Sequence, residues 1–157
     1  MSDATSKIPP AALALGLAGL VPFYASAAAG LSAQPDIARI GLISFALYAA
    51  VILSFLGGAR WGLELARAPD APSTARLVYS VAPSLAGWAI AGWMMLAPGA
   101  HGPAGLFAGC FAAQYVWDRT AGREGLAPNW YPALRQILTA GVIIACLALP
   151  LARVVGR

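Results

Sequence analysis

Residues 37–62 read IARIGLISFALYAAVILSFLGGARWG. One basic residue, Arg39, stands near the start of this stretch and another, Arg60, near its end, with no charge between them. At a helical rise of ~1.5 Å per residue, the interval from Arg39 to Arg60 covers about 31 Å, close to the ~30 Å hydrocarbon thickness of a bilayer. The stretch therefore predicts a membrane-spanning helix with Arg60 at one boundary and Trp61 in the aromatic belt beside it.

Four more segments of the same kind surround it. They run from Pro10 to about Gly30, from about Ala75 to Ala97, from about Pro103 to Trp117, and from about Tyr131 to Ala152. Their lengths are helical; a barrel would show alternating segments of ~10 residues. Composition agrees. Of the 157 residues 60% are hydrophobic and 10% charged, and the mean hydropathy is +0.72. Soluble domains carry ~25% charged residues, so too little polar material is present to cover a soluble surface of this size. Low charge and high hydrophobicity exclude disorder. The expected fold is an all-α, polytopic bundle of five transmembrane helices. The expected domain plan is a tail over residues 1–9, one membrane domain over 10–153 and a tail over 154–157. Lys7, the apolar run and Ala25-Ser26-Ala27 also admit a cleaved signal peptide, but the apolar run continues past this point and holds Pro22.

The gaps orient the bundle. The N-terminal tail, the second gap and the fourth gap carry Lys7, Arg60, Arg67, Arg76, Arg119, Arg123 and Arg135. The other side carries Arg39, Arg153 and Arg157. The positive-inside rule then places the N-terminus in the cytoplasm and the C-terminus outside, in an inner membrane if the protein is bacterial. The net charge of +4 reflects these topology signals. No basic patch interleaved with exposed aromatics points to nucleic acid.

Polar residues gather at the inner rim: Arg60, Trp61, Glu64, Trp117, Asp118, Arg119, Trp130 and Arg135. Glu64 stands at i+4 from Arg60, a spacing that allows an ion pair. An ion pair between Arg60 and Asp118 would fix how two helices pack. From Gly102 to Asp118 a helix rises only about 24 Å, so either the fourth segment starts earlier or Asp118 is drawn below the surface. Small residues recur at i, i+4 and i+8 as Ser54, Gly58 and Gly62, and again as Gly105, Gly109 and Ala113. Such stripes let helix backbones approach closely, within the chain or against a second copy. Pro22, Pro83 and Pro150 fall inside spans, where each removes a backbone donor.

Several chemistries lack their residues. His101 is the single histidine and Lys7 the single lysine. Cys110 and Cys146 have no metal or disulfide spacing and read as small packing residues. No nucleophile with an adjacent base and no phosphate-binding loop is present. The expectation is no cofactor, no metal and no catalytic residue.

Five strings occur in order: GLVPF at 19–23, SFLGGARWG at 54–62, APSLAGW at 82–88, Asp118-Arg119, and WYPALR at 130–135. Together they resemble the family called domain of unknown function 3429, which includes transmembrane protein 69-like multi-pass proteins. The resemblance implies a small membrane protein with no established reaction and singles out Arg60, Trp61, Asp118, Arg119, Trp130 and Arg135. Three functions fit these residues. The first is a non-enzymatic accessory or assembly protein whose rim binds another membrane protein or lipid headgroups, with the bilayer, a membrane partner or a second copy as its contacts. The second is a small transporter or channel gated by Arg60 and Asp118. The third is an interfacial enzyme using Asp118 or Glu64 as acid or base.

Overall fold

The computed structural model describes residues 7–97 and 102–155, with side chains to residue 151. Six helical segments form five rods: α1 (Pro10–Ala18), α2 (Val21–Gly30), α3 (Pro35–Arg67), α4 (Thr74–Leu96), α5 (Gly102–Arg123) and α6 (Tyr131–Val155). No strand occurs among the described residues. Four rods are long and apolar enough to cross a membrane: Pro10–Gly30, α3, α4 and Tyr131–Leu151 of α6. The fifth, α5, has the length, but Gln114, Asp118, Arg119 and Arg123 make its second half polar. Large apolar side chains such as Leu15, Phe55, Val78, Leu85 and Trp88 face outward, as they do where the surrounding solvent is lipid.

The sequence leads one to expect a single first helix. The structure instead breaks it at Gly19 and Leu20, between α1 and α2. Pro22 sits in the first turn of α2, where its missing N–H costs nothing. The interruption exposes the Gly19 carbonyl, which accepts a hydrogen bond from the Tyr48 hydroxyl of α3 at 2.9 Å. Tyr24 similarly ties α2 to α6, donating to the Gly141 carbonyl at 3.0 Å.

Two other boundaries differ from expectation. The second span continues past Gly62 to Arg67, giving a helix of 33 residues, or about 50 Å. The fourth continues past Trp117 to Arg123. Asp118 therefore lies within a helix of about 33 Å rather than at the end of a short one. That helix closes on Gly125, whose φ of 70° is left-handed. The Leu126 N–H then donates to the Ala121 carbonyl at 2.9 Å, a Schellman-type closure.

α3 and α4 pack antiparallel, as do α5 and α6, while α1 and α2 run alongside α6 and opposite to α3. A Cβ at Gly57 would strike the Ser80 carbonyl, and one at Gly41 would strike the backbone of Ala29 and Gly30. A Cβ at Gly87 would lie 3.0 Å from Ala50 Cα. These glycines make the close approaches inside the chain. Phe23 anchors the core, with Phe45 and Phe111 edge-on to it at centroid distances of 5.6 and 5.7 Å. Cys146 is buried in the same core, with Cys110 packed against it. Between α4 and α5 the packing opens into a lateral groove of about 470 Å³ beside Tyr79, Pro83 and Trp117.

Candidate functional site

The end of the bundle that holds the C-termini of α3 and α5 and the N-termini of α4 and α6 collects most of the charge. Asp118 is on the inward face of α5 and only 1% exposed. Its Oδ2 accepts from Arg135 Nε at 2.7 Å, and its Oδ1 from Gln114 Nε2, one turn earlier, at 3.1 Å. Arg135 is one turn into α6 and buried. Antiparallel packing of α5 and α6 brings the two charges face to face.

Arg60 is buried too, at 5% exposure, but it pairs with neither Asp118 nor Glu64. Both expected pairs are thus corrected. Its guanidinium carbon lies 4.2 Å from the Trp117 ring centroid, and Nη2 donates to Thr120 Oγ1 at 3.3 Å. Trp117 and Thr120 project from α5 toward α3, whereas Asp118 turns toward α6. A 100° step around one helix therefore gives Arg60 a cation–π face and gives Arg135 the carboxylate.

Glu64 works as a tie between helices. Its Oε1 accepts from Arg67 Nη2 at 2.6 Å and from the Ser73 backbone N–H at 2.7 Å, while Oε2 accepts from Arg67 Nε at 2.9 Å. Arg76 Nε is 3.8 Å from Glu64 Oε2. Arg76 also grips Glu124 with two bonds, at 2.7 and 3.0 Å. The Arg76 guanidinium holds the Glu124 carboxyl below the usual carboxylate range. A chain of Arg67, Glu64, Arg76 and Glu124 thereby links the ends of α3, α4 and α5.

The remaining rim residues face outward. Trp61 is 40% exposed and Arg119 is exposed, with its guanidinium 6.0 Å from the Tyr115 ring. Trp130 is half-buried, edge-on to Tyr131. Arg119, Arg123 and Asn129 border an open pocket of about 230 Å³. The space beside Arg60, Glu64 and Arg76 is only about 10 Å³, room for at most one water. The space beside Arg60 and Glu64 is thus filled, and the carboxylates of Glu64, Asp118 and Glu124 are engaged in ion pairs.

The small-residue stripes do not pack inside the chain. Ser54 is exposed, and a Cβ at Gly58, Gly62, Gly105 or Gly109 would meet nothing within 4 Å. Ala113 is exposed beside the α4–α5 groove. The internal contact of α3 falls one residue away, at Gly57, since neighbouring helical positions point about 100° apart.

Sequence reasoning passed over Thr120 and Glu124, left Arg67 and Arg76 as topology signals, and counted Gln114 and Thr139 only among the few polar residues that could line a transport cavity, without joining Gln114 to Asp118. Spacing could have found Gln114, four residues before Asp118. Arg76 and Glu124 are 48 residues apart, and the fold alone brings them together. Among the described residues no group of His, Cys, Asp and Glu could hold a metal ion. His101 lies outside the described residues.

A family described as a protein of unknown function, DUF3429, matches residues 8–152 of the chain. The chain is also similar to transmembrane protein 69 of Xenopus tropicalis, with 40% identity over 88 residues. That stretch is 54% of this chain and 34% of the relative, so the chain corresponds to about a third of the relative's length. No solved structure matches.

Proposed function

The chain belongs to the DUF3429 family, and from that premise we propose that it is a small, non-enzymatic, multi-pass accessory protein of an inner membrane. In this reading the N-terminus is cytoplasmic, the C-terminus is outside, and the charged, aromatic rim binds anionic lipid headgroups or an acidic segment of another membrane protein. The observation that carries it is the contrast between the two sets of rim charges. Arg67, Arg76 and Arg135 are spent on Glu64, Glu124 and Asp118. Arg119 and Arg123 make no ion pair among the described residues and border an open pocket.

Each such arginine contributes about 1 kcal/mol beside an anionic leaflet. Trp61 and Trp130 supply amphipathic rings that suit the same level of the interface. An inner gate at Arg60 and Asp118 would need an open polar path, whereas the space beside Arg60 is filled and both Asp118 oxygens are held by Gln114 and Arg135. An acid or base role would need a free carboxylate in a cleft, and Asp118 and Glu64 are both held by arginines.

The test is gentle purification from native membranes of the wild type and of Arg119→Ala/Arg123→Ala, with mass spectrometry of co-purifying lipids and proteins. A stoichiometric anionic lipid or protein partner lost in the double variant is the expected result. Identical co-purification in both, or none in either, counts against the rim as a binding surface.

A further inference from the structure

A second cavity, of about 180 Å³, lies on the other side of α5, where the break between α1 and α2 faces α3 and α6. Its walls are apolar, with Leu15, Phe23, Phe55 and Phe111 among them. Leu15 and Phe55 are largely exposed and form its lateral mouth. Two polar residues also line it, Arg135 and Thr139, respectively 7% and 4% exposed. Both carry a buried atom with no hydrogen-bond partner, Nη2 of Arg135 and Oγ1 of Thr139. A helical threonine commonly satisfies its hydroxyl on a carbonyl one turn back, as Ser26 and Ser80 do with carbonyls of their own turns. Thr139 does not.

Buried polar atoms without partners are uncommon and costly. Among the described residues three side chains hold such an atom; Nη1 of Arg60 lies away from this cavity, and the other two, on Arg135 and Thr139, stand at i and i+4 on one face of α6 and line it. Local charge adds a direction. Arg135 and Arg60 both lie within electrostatic reach of Asp118, while Glu64 and Glu124 are held by Arg67 and Arg76. Arg60 also lies within reach of Glu124, so four arginines, Arg60, Arg67, Arg76 and Arg135, face three carboxylates, Glu64, Asp118 and Glu124.

We infer that this cavity receives the carboxylate of a single-chain fatty acid, entering sideways between α1 and α3. One carboxylate oxygen accepts from Arg135 Nη2 and the other from Thr139 Oγ1, and the added negative charge offsets the surplus arginine of the cluster. The volume suits a carboxylate and its first few methylenes, about six non-hydrogen atoms at ~30 Å³ each. The rest of the chain leaves past Leu15 and Phe55 into hydrocarbon. A phospholipid carries its negative charge on a phosphodiester joined to glycerol and a headgroup, which together exceed the about six non-hydrogen atoms that the cavity holds. This site lies apart from Arg119 and Arg123 and goes beyond the rim reading.

The experiment uses the full chain in nanodiscs of zwitterionic phosphatidylcholine. The probe is a twelve-carbon fatty acid with a terminal diazirine, compared with its methyl ester. The expected result is saturable labelling by the acid on the outward faces of α1 and α3 beside the mouth at Leu15 and Phe55. Labelling by the ester and labelling of Thr139→Val are each expected to be about tenfold weaker, the effect of losing one charge-assisted hydrogen bond. Thr139→Val conserves shape, and its unfolding temperature is measured alongside. Leu15→Trp, at the exposed mouth, is an independent block that does not disturb the core. Equal labelling by acid and ester, labelling unchanged in Thr139→Val, or labelling unchanged in Leu15→Trp overturns the assignment.

Discussion

Burying Asp118 against Arg135 takes two charges out of water, and each then depends on the other. Removing one partner of a buried pair typically costs 3–5 kcal/mol, because the survivor is left uncompensated, whereas an apolar replacement of both is often neutral. Asp118→Asn is therefore expected to destabilise the bundle by about 3 kcal/mol in denaturant unfolding, and Asp118→Leu/Arg135→Met to recover most of that loss. A shift below about 0.5 kcal/mol for Asp118→Asn would show that the pair does not hold α5 to α6. The pair between Arg76 and Glu124 behaves differently, because it is partly exposed. Arg76 lowers the Glu124 carboxyl in the folded state, so its contribution is complete above the ordinary carboxylate value of ~4.3 and is lost as pH falls through the depressed value. The stability difference between wild type and Glu124→Gln is expected at pH 7 and should vanish under more acidic conditions. A difference that grows on acidification would reverse the assignment. The Asp118 and Glu64 sites were legible as residues, since rare charges in an apolar chain stand out. Their partners were not, because which arginine meets which carboxylate depends on helix rotation.

Along α3, one residue of register separates structure from surface. Gly57 faces the Ser80 carbonyl of α4, so the Cβ of Gly57→Ala collides with that carbonyl, pushes α3 and α4 apart and is expected to cost about 1–3 kcal/mol. Gly58 faces open space, so Gly58→Ala is expected to be neutral or stabilising by up to about 1 kcal/mol through helix propensity. Thermal unfolding of the two variants side by side reads the register directly, and equal effects would mean that α3 is rotated from its described position. The spacing of Ser54, Gly58 and Gly62 was visible in the sequence, as were the ends of the apolar runs to within a few residues. The break at Gly19 was not, since Pro22 in a long apolar run reads equally as a tolerated kink. It is the docking of Tyr48 on the Gly19 carbonyl that gives the interruption a partner.

For the whole molecule, the α3–α4 turn and the α5–α6 turn share one end, joined by Arg76 and Glu124. Single cysteines placed at Asp70 and Gly125 in a variant lacking Cys110 and Cys146 are therefore expected to react with an impermeant maleimide from the same side of the membrane, and one placed at Ala33 from the other. Reaction of Asp70 and Gly125 positions from opposite sides would mean that α5 does not return across the bilayer. Composition alone determined that this chain resides in a membrane, because so few charges cannot cover a soluble surface, and the lengths of the apolar runs made it helical. The length of each apolar run set the number of rods, because helix rise against bilayer thickness leaves little freedom. Only the tertiary structure decided that Arg135 rather than Arg60 holds Asp118, that Gly57 rather than Gly58 is the close contact, and that Thr139 lines a cavity. Those outcomes depend on the rotation of each helix about its axis, which is set by packing against neighbours distant in the chain and leaves no local trace in the sequence.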